Sequence, residues 1–212
     1  MKVAYFAESP ADEAALTILT EAILRRKTES VIHAGLRHRG WPTVLRVLPA
    51  VLKELHYRTG AEGFVFVVDS DNSAPHLPAH EQPGPSDPEC RLCQLRRGAG
   101  EALRQVRPRT DRPALKIALG LAVPAIEAWL LCGVDSHVTE AAWANGLKER
   151  PGRMPYSKGS LKRHLYGASY PPLPVMTEAM KTAAERLAQD FTTLERLFPA
   201  GFGALASALR KW

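Results

Sequence analysis

Two aspartates one residue apart close the most apolar stretch of the chain, Phe64-Val65-Phe66-Val67-Val68-Asp69-Ser70-Asp71. A β-branched and aromatic run of this length fits a strand covered on both faces, as in a parallel α/β sheet. Alternation along a strand turns Asp69 and Asp71 the same way, with α-carbons roughly 6.6 Å apart from two rises of about 3.3 Å. Such a pair suits one cation, and active sites in α/β sheets lie beyond the carboxyl ends of strands. The plainer reading is that an aspartate at a strand end starts a turn. Further acidic residues follow other apolar runs: Glu8 and Asp12 after residues 3–7, and Glu127 after residues 115–123. In a parallel sheet these junctions share an edge. Two unit charges at 4 Å repel by about 4 kcal/mol at an effective dielectric of 20, so several carboxylates in one place need a cation. Oxygen ligands select Mg or Mn over Zn, and two such ions can flank an in-line phosphoryl displacement. Each residue also has a structural reading. Asp12 and Glu127 suit helix N-terminal dipoles, and Glu8 can cap a first turn.

A second group has different ligands. His76, His80, Cys90 and Cys93 form H-x3-H-x9-C-x2-C within a stretch rich in Pro, His, Ser and Asp. C-x2-C lets two sulfurs reach one tetrahedral zinc, and H-x3-H presents two imidazoles one turn apart. Structural zinc is the expectation here, with a redox role or none as the alternatives. Cys132 lies in an apolar helix and reads as a small core residue.

Basic residues supply a third pattern. Between Cys90 and Arg112 there are seven arginines against Glu101 and Asp111. Arginine suits phosphate because its planar fork donates two parallel hydrogen bonds. Arg91, Arg96 and Arg97 are the candidate nucleic-acid contacts in this stretch, joined by Lys162 and Arg163 in the basic segment Tyr156-Ser157-Lys158-Gly159-Ser160-Leu161-Lys162-Arg163-His164. A solvated surface helix is the alternative for that segment, and Lys158 is placed to balance charge in a phosphoryl-transfer transition state. Tyr166 and Tyr170 can stack unpaired bases.

The elements that must position these groups follow from periodicity. Residues 3–7 predict a first strand, and Pro10 opens a helix with Ala14, Ala15, Ile18, Leu19, Ala22 and Ile23 at helical spacing. Residues 31–34 read as a weak second strand. Trp41-Pro42 starts a helix that Pro49 should kink. The acidic strand comes third; residues 73–89 form a long loop, 90–106 an arginine-rich helix and 115–123 a fourth strand, after which Pro124 opens another helix. Residues 151–174 read as loop-rich, with two or three helices in 176–212. The fold class is therefore α/β, a small mainly parallel sheet flanked by helices with a helical C-terminal third. Residues 1–150 are read as one domain with a zinc-binding loop at 73–93, and 151–212 as a basic loop and helices packed on it.

Composition leaves room for this reading. The 212 residues are 45% hydrophobic and 24% charged, enough for a core without disulfide staples. A net charge of +6 and a pI near 9.4 favour polyanion partners without requiring them. There is no signal-peptide pattern and no apolar run of about 18 residues, so a cytoplasmic, non-membrane protein is expected.

The segment Ala7-Glu8-Ser9-Pro10-Ala11-Asp12-Glu13-Ala14-Ala15-Leu16, followed by Val67-Val68-Asp69-Ser70-Asp71, resembles the Toprim (topoisomerase–primase) superfamily. Its pattern is a glutamate in a strand-helix turn and a downstream aspartate pair. Glu127-Ala128-Trp129-Leu130-Leu131 is similar to small stand-alone Toprim-like proteins of bacterial defence and mobile-element neighbourhoods, related to the nuclease domain of the overcoming-lysogenization-defect family. The resemblance spans residues 3–133, and Ser9-Pro10 stand where the family usually has glycine. It implies metal-dependent phosphodiester chemistry with Glu8 as general base or ligand, Asp69 and Asp71 as magnesium ligands, and Asp12 at the acidic position of the nuclease branch. Residues and resemblance together lead to a nuclease or nuclease-like protein with Mg or Mn at Glu8, Asp69, Asp71 and Glu127, catalytic Glu8, Asp12 and Lys158, and nucleic acid as partner; a partner ATPase is an option raised by the resemblance and is not read from the residues. The alternatives are a noncatalytic interaction module of a defence complex and a small-nucleotide phosphoesterase.

Overall fold

Three apolar runs and one short polar one pair in a single four-stranded parallel sheet, order β2-β1-β3-β4, in a computed structural model that describes residues 1–31, 41–73, 75–82, 87–149 and 154–212. The strands are β1 (Lys2–Phe6), β2 (Glu29–Ser30), β3 (Gly63–Asp69) and β4 (Lys116–Ala122). Helices α1 (Pro10–Leu24), α2 (Trp41–Arg58), α3 (Arg91–Arg104) and α4 (Ile126–Leu130) alternate with them. Beyond lie α5 (Glu140–Glu149), α6 (Lys158–Tyr166), α7 (Leu173–Leu187), α8 (Thr192–Leu197) and α9 (Ala204–Leu209). The α/β class with a helical C-terminal third is as expected.

Every residue of β3 is buried, because helices cover both sheet faces. Val3, Tyr5, Val65 and Val67 face a core with α1, α4, α7 and α9, whereas Ala4, Phe6, Phe64, Phe66 and Val68 face α2 and α3. Helix α7 packs along α1 and α9 along β4, so the C-terminal third completes the first of these cores. Parallel pairing in the registers Phe6↔Phe66 and Asp69↔Ala122 brings the carboxyl ends of β1, β3 and β4 to one edge.

Some boundaries differ from expectation. The second strand is Glu29–Ser30, with Val31 N donating to Val3 O at 2.9 Å, and residues 32–34 lie outside the described residues. The backbone of β1 fixes this pairing, since the two strand residues are polar and exposed. The stretch read as loop-rich contains α6, whose start is secured by the Ser157–Ser160 capping box. Helix α2 contains Pro49, as expected. Pro124 precedes α4 rather than opening it, following a cis Val123–Pro124 bond. Among the described residues, no helix is long and apolar enough to cross a membrane.

Candidate functional site

Asp69 ends β3 on the face shared with α1 and α4 and is 8% exposed. Its Oδ1 accepts from Ile126 N at 3.1 Å, which ties the tip of β3 to the start of α4. Its Oδ2 lies 2.6 Å from Lys158 Nζ. The chain then turns: Asp71 has φ +49, a left-handed conformation that aspartate tolerates better than most residues. That turn brings Asp71 Oδ1 to 2.5 Å from the same Lys158 Nζ, while Asp71 Oδ2 takes Arg91 Nη1 at 2.7 Å. Arg91 Nη1 also donates to Asp69 O at 2.6 Å. The two carboxylates therefore converge, through a turn rather than by simple strand alternation.

The other acidic residues gather at the same edge. Asp12 is buried and forms a capping box with Ser9, whose N–H it accepts at 2.7 Å and whose Oγ accepts from Asp12 N at 3.2 Å. Ser9, not Glu8, caps α1, which leaves Glu8 exposed at the tip of β1. Glu127 is buried and accepts from Tyr166 Oη at 3.1 Å, with Lys162 Nζ 3.9 Å away.

Burial, then the charges of Glu127 and Glu8, push the Asp12 carboxyl up to about 7 against the pull of Ser9. Burial and Glu8 also drive Asp69 well above the carboxylate range, even though Lys158 opposes the rise. Asp71 behaves oppositely: burial raises it, but Lys158 and Arg91 together hold it below its ordinary value. For Lys158, burial disfavours the charge, yet Asp69, Asp71 and Glu8 outweigh it and the ammonium is retained more strongly. Glu8 and Glu127 thus each lie within electrostatic reach of both Asp12 and Asp69, and Lys158 joins Asp71 to them. The donors are all oxygen, the chemistry a hard divalent ion takes, but no three of these carboxylates stand at metal-ligand spacing with Lys158 between Asp69 and Asp71.

The second cluster closes to ligand spacing. The ligand atoms of His76, His80, Cys90 and Cys93 all lie within 4.8 Å of one another, and this is the only such group of three or more among the described residues. Cys90 caps α3 and Cys93 follows in its first turn, so both sulfurs reach one point. His76 Nδ1 lies 3.5 Å from each sulfur, and His80 Nδ1 lies 3.6 Å from Cys93 Sγ. Bonds of about 2.3 Å to sulfur and about 2.0–2.1 Å to nitrogen at a tetrahedral angle put N and S about 3.5 Å apart. Each ring turns its other nitrogen to a carboxylate: His76 Nε2 to Glu81 Oε1 at 2.7 Å, His80 Nε2 to Asp87 Oδ2 at 3.2 Å. Carboxylates in this position fix the tautomer and ring orientation of a ligating histidine. Burial keeps the His76 pKa below its ordinary value, favouring the neutral ring a metal requires. Burial and the neighbouring Cys93 push Cys90 up to about 12, so its thiolate needs a cation. This His2Cys2 cluster can bind a metal such as zinc.

The basic candidates divide. Arg91 clamps Asp71 and stacks over Trp41, 5.1 Å from the ring centroid. Arg96 pairs with Glu81 at 2.5 Å, bracing the His76 carboxylate. Lys162 leans on Glu127, while Arg97 and Arg163 are exposed on α3 and α6. Sequence reasoning did not find Trp41, Glu81, Asp87 or the bond from Tyr166 to Glu127. Of these only Glu81 and Asp87 carried a signal, as carboxylates within the histidine–cysteine stretch.

No family model, curated protein or solved structure matches the chain.

Proposed function

We propose that the acidic edge is the centre of a metal-dependent phosphodiesterase acting on nucleic acid, with Mg or Mn held by Glu8, Asp69, Asp71 and Glu127. The supporting observation is that Lys158 Nζ sits 2.6 and 2.5 Å from Asp69 and Asp71, one cation shared by two carboxylates. A divalent ion supplies Lewis-acid polarisation of a phosphoryl oxygen and lowers the pKa of a bound water. Glu8, exposed at the tip of β1, would help to hold that ion or serve as general base toward the attacking nucleophile. Lys158, once freed from the aspartates, balances charge on the phosphoryl oxygens. Asp12 fixes the turn that carries Glu8 through its bonds to Ser9. In this reading the His2Cys2 cluster holds zinc and fixes the loop that follows β3, carrying Arg91 to Asp71. The exposed Arg97 and Arg163 are the contacts for a phosphate backbone. A role in defence or a mobile element and a partner ATPase rest on the Toprim resemblance alone.

A second reading has an observation of its own. Lys158 and Arg91 already balance the aspartate pair, as a noncatalytic interaction module would require. Cleavage of single-stranded, duplex and RNA substrates with Mg or Mn separates the two. Asp69→Asn is expected to lower the rate by about 100-fold or more with unchanged melting. No hydrolysis of any strand favours the module, and hydrolysis of mononucleotides alone favours a small-nucleotide phosphoesterase.

A further inference from the structure

On the α2 and α3 side of the sheet edge, directly beside the carboxylates, lies a cavity of about 370 Å³. This falls in the range that holds small organic ligands. Trp41, Phe6 and Phe66 give it aromatic walls, and Glu8, Asp71 and Arg91 its polar side. The indole is set in place: Trp41 Nε1 donates to Gln94 Oε1 at 3.0 Å, and the Arg91 guanidinium lies 5.1 Å from the ring centroid. Phe6 and Phe66 meet edge to face at 4.8 Å, a packed and rigid pair.

We propose that this cavity takes an unpaired nucleobase, so that the substrate is a nucleotide whose base faces are free. The inference rests on the phosphoryl-transfer reading of the adjoining edge and deepens it by naming the substrate class. Three lining residues, Glu8, Asp71 and Arg91, link the cavity to the chemistry. Asp71 and Arg91 line it and also belong to the network with Lys158 and Asp69. A base seated against Trp41 therefore brings its own phosphate towards that network. An aromatic ring with a guanidinium stacked on it is the surface that single-strand binders offer to bases, because every base has a π-face. In a duplex those faces are covered by neighbouring pairs, and entry would require flipping the nucleotide out of the stack. The bases of a single strand and of a mononucleotide share this chemistry, and competition distinguishes them.

The test uses the full chain with Ca in place of Mg and a short oligothymidylate carrying one 2-aminopurine. Binding should quench the probe, a duplex of the same length should bind about ten-fold or more weakly, and Trp41→Ala should weaken single-strand binding by about ten-fold or more while Trp41→Phe keeps most of it. The quenching is read on the wild-type chain, so it decides even if Trp41→Ala does not fold. Displacement of the probe by thymidine monophosphate assigns the cavity to free nucleotides as well as strands; failure to displace assigns it to strands. Equal affinity for duplex and single strand without quenching overturns the proposal. Metal-dependent cleavage that ignores Trp41 and strandedness also overturns it and leaves the phosphoryl-transfer reading intact. Trp41-dependent single-strand binding without metal-dependent cleavage supports the cavity and sinks that reading instead.

Discussion

Glu140 is as buried as Asp69 but, among the described residues, has no cation paired with it; it accepts from Gly201 N at 3.2 Å. Burial pushes its carboxyl up to about 7, against the bonds from Gly201 and Ala200. Because the folded pKa is raised above the unfolded one, the folded chain holds the extra proton, and stability falls as pH rises from about 4.5 to about 7. Glu140→Gln keeps the acceptor for Gly201 and removes the titration. It should be more stable than the wild type above pH 7 by about 1–3 kcal/mol, with the difference closing below about pH 4.5. Urea melts across this range check it; a difference that does not vary with pH would be inconsistent with the shift. At this scale the sequence made the carboxylates legible, because Glu8, Asp69, Asp71 and Glu127 each follow an apolar run. It hid Arg91, since the residue type cannot tell an arginine that grips phosphate from one that grips Asp71 in its own fold.

Between residues and whole molecule, α3 matters most, because its first turn carries Arg91 between Cys90 and Cys93. Ordering a proline-rich loop costs about 1–2 kcal/mol per residue, and structural zinc contributes roughly 10–16 kcal/mol in apparent binding energy. Cys93→Ser should therefore lose most of about one equivalent of zinc and become protease-sensitive between residues 73 and 91, while the sheet core stays folded. Zinc retained at full stoichiometry, read by elemental analysis, would go against the cluster as the ligand set. A second element makes a sharper packing prediction. A Cβ on Gly201 would stand 2.3 Å from Leu121 O in β4, and backbone cannot step aside as a flexible side chain can. Gly201→Ala should lose about 1–3 kcal/mol or more in urea unfolding, and an unchanged midpoint would contradict this packing. Strand β3 was legible because both of its faces are apolar, whereas β2 was not, its two polar residues being placed by β1. Helix α6 was open in the sequence only as the alternative of a solvated surface helix, because Gly159 and Ser160 carry no helical periodicity; the Ser157–Ser160 cap starts it.

For the whole molecule, the parallel sheet brings three strand ends to one edge, and α6 reaches the same region with Lys158 and Lys162. Lys158 arrives there from 87 residues beyond Asp71. Such long-range convergence explains why the site was only half readable: the basic segment singled out Lys158, but spacing along the chain does not show that its ammonium is shared by Asp69 and Asp71. The central claim is that this edge holds a divalent ion, and anomalous diffraction from a crystal soaked in Mn tests it most directly. The account predicts a peak within about 2.0–2.3 Å of oxygens from both Asp69 and Asp71, with Lys158 Nζ moved off the pair. An edge without anomalous density, and with Lys158 still bridging both aspartates, would contradict it.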